Sequence, residues 1–200
     1  MKERKRNRKK GFDYASDGVY FLTICCKDRI NYLGKINNRK MELNEFGNIV
    51  NGQIEWMEQQ YPFFIIHNYI IMPNHFHILA EILRDRGESS HPIEMDGADR
   101  VRTARELSLP STPENEFHPV RTGRDLSLQS PQKIKSISAL MGALKTTSSK
   151  KIHLAGNLHF QWQRSFHDNI VKSENAYWNI YNYITQNPEK WENDTFYDLN

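Results

Sequence analysis

The sequence predicts an α+β domain in which helices pack on an antiparallel sheet. Three features predict it. "VYFLTICC", Val19 to Cys26, is the aromatic and β-branched run of a buried strand. Phe63 to Glu81 reads as "FFIIHNYIIM", "PN", "HFHILAEI": strand, Pro-Asn turn and strand, a hairpin suited to the middle of such a sheet. Around these strands lie segments whose apolar residues recur at helical spacing.

Taken in order, the chain opens on "MKERKRNRKK", with seven Lys or Arg against one Glu. The whole chain is +3, so the residues after this +6 opening sum to −3. Residues 1–11, with Arg4, Lys5 and Arg6, therefore read as a flexible basic arm suited to phosphate backbones, or as a solubilising tail. Residues 12–200 read as one domain. After the first strand, "YLGKI" to "MEL" predicts a short hairpin turning at Asn37 and Asn38. Asn44 then starts a helix that buries Phe46, Ile49, Ile54 and Met57 and stops before Pro62, although Gly47 and Gly52 sit inside it. The central hairpin follows.

From about residue 84 to 132 the chain turns Ser-, Pro-, Arg- and Glu-rich, and "VRTARELSLP" returns as "VRTGRDLSLQ". Two copies make no solenoid, and the apolar surface is too small to offset ordering entropy, which predicts a disordered insertion. "KIKSISALMGALKTTSSKKIH" restores an amphipathic helix with Ile134, Ile137, Leu140, Met141 and Leu144 on one stripe. Lys133, Lys135, Lys145, Lys150 and Lys151 accompany it without an acidic residue. A strand-like "LHFQWQRSFHDNIV" precedes a last helix, capped by Ser173 and stopped by Pro188.

No apolar run approaches the roughly 20 residues that span a bilayer. The N-terminus lacks the apolar region of a secretory signal, so the cytoplasm is the expected compartment. Cys25 and Cys26 are adjacent and would face opposite sides of a strand, which argues for two reduced core thiols rather than a disulfide or a zinc site.

Inside the apolar run "IIMPNHFHIL", His75 and His77 lie two apart, so on a strand their imidazoles share one face, close enough to hold one metal ion. Two histidines on a solvated strand face are the ordinary alternative. His67, a possible third imidazole on the neighbouring strand, is poorly placed for the same ion and better suited to a surface or supporting role.

"VYFLTICCKDR", "IIMPNHFHIL" and "FQWQRSFHDNIVKSENAYWNIYNYITQNPEKW" together resemble the HUH single-tyrosine transposases, and among them the REP-associated tyrosine transposases. The resemblance spans nearly all of the chain outside the arm and the insertion. It rests on Met-Pro-Asn-His-x-His and a late Tyr-x-x-x-Asn-Pro in that order. It implies a ferredoxin-like sheet with helices on one side, the histidine pair on a central strand, and a tyrosine on a C-terminal helix facing it. It further implies cleavage and rejoining of single-stranded or hairpin DNA with Mg²⁺ or Mn²⁺, through a 5′-phosphotyrosine, by a monomer or homodimer without a membrane partner.

Among the tyrosines of the last helix, Tyr177 and Tyr181 share a stripe with Ile180 and Ile184, the face expected to pack on the sheet. Tyr183 lies roughly 115° from the centre of that stripe, and Asn187 about 40° back toward it. One turn after Tyr183 comes Asn187, whose amide oxygen suits a hard cation. The family motif assigns nucleophile and third ligand to the same positions, Tyr183 and Asn187, beside His75 and His77. Imidazoles serve as ligands only when neutral, so activity is expected to fall below about pH 6. Arg164 in "FQWQRSFHDN" is a candidate phosphate contact, as are Lys145, Lys150 and Lys151, and His167 is expected near the site. Phe166 stands where many relatives carry an aromatic hydroxyl, and Trp162 reads as packing. Two rivals remain: a domesticated hairpin-binding protein of the same fold without cleavage, and a metal-dependent hydrolase that uses water.

Overall fold

A computed structural model describes residues 11–84 and 134–197 of the chain. The arm with Arg4, Lys5 and Arg6 lies outside the described residues, as does the insertion apart from Arg84.

Strand β1 (Gly18–Cys25) is apolar at nearly every position, and residues on both of its faces are buried. Tyr20, Leu22 and Ile24 enter the main core, while Thr23 and Cys25 face the other side, opposite His77 and His75. The short hairpin pairs β2 (Gly34–Asn37) with β3 (Lys40–Leu43). Its turn falls on Asn38 and Arg39, one residue later than predicted, and both have positive φ, 48° and 61°. A two-residue hairpin turn of this hand needs both central residues left-handed, and Asn tolerates that conformation best.

Helix α1 (Glu45–Gln60) starts where expected, with Asn44 accepting from the Gly47 amide. Gly47, which weakened the helix reading, is required by packing: a Cβ there would lie 2.1 Å from the Leu33 carbonyl oxygen. The buried face carries Val50, Ile54 and Met57, whereas Phe46 and Ile49 are only partly buried. Strands β4 (Phe64–Ile71) and β5 (His75–Ile82) form the central hairpin. Helix α2 (Ile137–Leu154) begins at the cap Ser136, so Ile134 precedes it, and Lys133 lies outside the described residues. Strand β6 (His167–Val171) closes the sheet, and α3 (Glu174–Gln186), capped by Ser173, runs into a 3₁₀ segment over Asn187–Asn193.

The four-stranded sheet is antiparallel with spatial order β4-β5-β1-β6. Leaving aside the β2–β3 hairpin, the chain follows β-α-β-β-α-β with the first and third strands central, which is the ferredoxin-like arrangement. Helices α1 and α2 share one core with Phe76, Ile78, Ala80 and Ile82. The expectation of helices on one side alone is corrected by α3, which packs on the opposite face. There Asn68 donates to the Tyr181 carbonyl and to Thr185 Oγ1, while the next residue, Tyr69, reaches Asn51 of α1. Of α3 only Ile184 is buried, so Tyr177 and Tyr181 are half-buried flank residues rather than core.

Candidate active site

The two imidazoles are set by their strand. β5 places Phe76 and Ile78 in the core with α1 and α2, and turns His75 and His77 to the face that α3 approaches. Both are fully buried, and their Nε2 atoms lie 3.1 Å apart. Asn74 orients the first: its Nδ2 donates to the Arg29 and Phe196 carbonyls at 3.0 and 2.9 Å, which leaves Oδ1 to accept from His75 Nδ1 at 2.8 Å. His75 therefore carries its proton on Nδ1, and its Nε2 lone pair points at His77. His77 is oriented by Thr23 Oγ1, 2.8 Å from its Nδ1, and by the Phe21 ring stacked at 5.3 Å. Burial pushes the His75 imidazole down to about 3, aided by the Arg29 charge. Burial likewise holds His77 well below its ordinary value, with His75 acting in the same direction and Asp194 against it. Burial thus favours the neutral form of both rings, which moves the expected acid limit of ligand binding downward.

Helix α3 delivers the phenol. Tyr183 Oη lies 3.3 Å from His77 Nε2, and the Phe21 ring meets the Tyr183 ring edge-on at 6.1 Å. Tyr183 is 40% exposed, so it touches the His77 imidazole while remaining open to solvent. Asn187, one turn on, is buried, and its Oδ1 has no hydrogen-bond partner among the described residues. Its Nδ2 donates to Asp194 Oδ2 at 2.9 Å, and the Tyr183 hydroxyl donates to the same oxygen at 3.2 Å. Burial raises the Tyr183 phenol to about 12, the Asp194 carboxylate adds to that by charge and hydrogen bond, and the Asn187 amide opposes it. Beyond Asp194 the chain folds back over the histidines: the Phe196 ring lies 4.6 Å from His75, and Arg29 donates to the Thr195 carbonyl.

A divalent cation fits this donor set. His75, His77 and Asp194 bring one ligand atom each within 4.8 Å of one another, the one such His, Cys, Asp and Glu group of three or more among the described residues. The partnerless Asn187 Oδ1 and the fixed His75 lone pair add to the case, since buried polar atoms otherwise find partners. Two imidazole nitrogens with carboxylate and amide oxygens make a mixed donor set for a divalent cation.

The predicted His75, His77, Tyr183 and Asn187 are therefore brought together. His67 is not: it sits in a β-bulge of β4, bonded to Glu81 at 3.2 Å and edge-on to Tyr177. His167 flanks Phe196 at 6.4 Å, on the strand paired with Thr23. Trp162 is buried, its Nε1 donating to Ser148. Arg164, Lys150 and Lys151 are exposed. Lys145 is half-buried, and its ammonium donates to the Gln163 and Arg164 carbonyls. Sequence reasoning missed Asp194, Asn74 and Thr23. Asn74 had a signal, since it adjoins the pair inside the Pro-Asn turn. Thr23 and Asp194 meet the site only through strand pairing and the path of the 3₁₀ segment.

No protein-family model matches the chain. A REP-associated tyrosine transposase bound to a REP hairpin is 16% identical, with 96% of this chain and 74% of that chain covered and a TM-score of 0.49. An uncharacterized protein of Haemophilus influenzae (strain ATCC 51907 / DSM 11121 / KW20 / Rd) is 31% identical over 195 residues, which cover 97% of this chain and 93% of the relative. With that identity along almost the full length of both, the chain belongs to the same family as the H. influenzae protein.

Proposed function

We propose that the protein is an HUH-type transposase, which cuts and rejoins single-stranded or hairpin DNA through a 5′-phosphotyrosine on Tyr183. The observation that carries this reading is the phenol oxygen 3.3 Å from His77 Nε2, itself 3.1 Å from His75 Nε2. A nucleophile and a cation-binding pair are thereby presented to one phosphate group.

The burial of His75 and His77 keeps both lone pairs available at neutral pH. His75, His77 and Asn187, with Asp194 beside them, would hold a Mg²⁺ or Mn²⁺ ion, which when bound would supply positive charge to offset the negative charge developing on the scissile phosphate. Asp194 Oδ2 takes the phenol proton, since it accepts that hydrogen bond. The Tyr183 oxygen bonds to phosphorus, the bond from phosphorus to the 3′-oxygen breaks, and that oxygen leaves as a 3′-hydroxyl with a proton from solvent. The phosphodiester's free energy stays in the tyrosyl ester, so attack by a 3′-hydroxyl reseals a strand without ATP. Arg164, Lys150, Lys151 and the arm with Arg4, Lys5 and Arg6 supply sequence-independent affinity for the DNA backbone.

Single-stranded hairpins from the sequence flanking the gene, incubated with the protein and Mn²⁺, test the reading. The expected product is a denaturation-resistant adduct whose mass is the protein plus a 5′-phosphorylated fragment, absent in Tyr183→Phe. Cleavage retained in Tyr183→Phe would instead identify water as the nucleophile.

A further inference from the structure

Beside the histidine site lies a cleft of about 510 Å³ between the turn at Lys27–Arg29 and the segment from Gln161 to Arg164. We infer that this cleft seats one unpaired nucleotide of the DNA strand, next to the phosphate placed at the histidines; the inference rests on the function proposed above.

Its position comes first. Gln163 donates its amide proton to the Cys25 carbonyl at 2.8 Å, and Cys25 is the register partner of His75. Arg29 belongs to both places: it lines the cleft, its guanidinium lies 5.5 Å from the Phe196 ring over His75, and its carbonyl accepts from Asn74. A strand with its phosphate at the imidazoles thus reaches the cleft within its next residues.

The chemistry of the walls comes second. Lys27, Arg29 and Arg164 set three cations against the single carboxylate of Asp28. The Arg164 guanidinium makes no hydrogen bond or ion pair to the described residues, although it stands in the wall. Gln161 and Gln163 contribute carboxamides, each offering donor and acceptor together, the pattern that reads a base edge. Gln161 gives its oxygen to Lys27 Nζ at 3.0 Å and keeps its two N–H donors. A DNA strand is favoured over an acidic peptide because the cleft shares Arg29 with the histidine site where the proposed chemistry places a phosphate, whereas inorganic phosphate is far too small for a space in the usual range of ligand pockets.

The cleft is also rigid. Trp162 bridges to Cys26, Lys27 donates its amide proton to the Gln161 carbonyl at 2.8 Å, and Lys145 clamps the Gln163 and Arg164 carbonyls. Asp28 and Arg29 both adopt left-handed backbone, φ 56° and 54°, a strain that persists only where surroundings impose it.

The test measures binding of a fluorescein-labelled random 12-nucleotide single strand, and of a blunt duplex of the same length, to the full chain. The double variant Gln161→Ala, Gln163→Ala should weaken the single strand about tenfold and leave the duplex within about twofold. Lys27→Ala, Arg164→Ala should weaken the single strand and lower the slope of log affinity against log salt by about 1.4, two phosphate contacts at about 0.7 each. Unchanged single-strand affinity in both folded variants would overturn the inference. So would equal losses for strand and duplex in the glutamine variant, or polyglutamate competing through the same cations more strongly than DNA. Tyrosyl adduct formation by the wild type separates the two readings: adduct with normal binding by both variants removes the cleft alone. Absence of adduct with the predicted binding losses removes the chemistry alone.

Discussion

Asn74 links the histidine site to its surroundings. Its amide is committed to two carbonyls, and only its oxygen remains to fix the His75 tautomer. Asn74→Ala should weaken Mn²⁺ binding by about 10–100-fold, as loss of a partner that orients a ligating histidine does, a change that calorimetry reads directly. The imidazoles themselves predict a pH dependence of stability in metal-free protein. The His75 value is depressed in the folded state, to about 3, so the unfolded chain binds the proton more readily. Its stabilising contribution is full above the unfolded value near 6.5 and is lost progressively as pH falls toward about 3. With chelator present, the urea midpoint should fall more steeply between about pH 6.5 and 5 in the wild type than in His75→Gln. Tyr183 adds the alkaline counterpart: its phenol is raised, so stability is lost as pH climbs above about 10.

Local signals identified the elements well, because each relied on neighbours in the chain. Asn44, Ser136 and Ser173 cap their helices through the amides three residues on. The period-two pattern placed His75 and His77 on one face, and helical angles separated Tyr183 from Tyr177 and Tyr181. What the sequence left unread was set by contacts across the fold. Gly47 looked like a helix weakness, but its missing Cβ lets α1 approach the Leu33 carbonyl. Gly47→Ala should therefore destabilise the protein by about 1–3 kcal/mol, measured by denaturant midpoint, whereas propensity alone would make Ala favourable. The bulge at His67 shifts the pairing of β4 between Ile66 and Asn68, and no alternation rule anticipates it. Asp194 joins the site only because the 3₁₀ segment after α3 turns back onto the histidines.

The β-α-β-β-α-β course puts β1 and β5 in the centre of the sheet, with one face committed to α1 and α2 and the other left for α3 and the chain after it. The main core thus occupies one face and the candidate site the other. The same division explains the composition of the central strands: Phe76 and Ile78 fill the core while His75 and His77, between them, meet Tyr183 and Asp194. The account depends on those imidazoles sharing one cation with the end of α3. Calorimetric titration of the full chain with Mn²⁺ measures this most directly, with His67→Ala as the control on the same sheet. One ion per chain is predicted, its affinity at least about tenfold lower in His75→Ala and in His77→Ala and unchanged in His67→Ala. Equal Mn²⁺ affinity in wild type, His75→Ala and His77→Ala would contradict it.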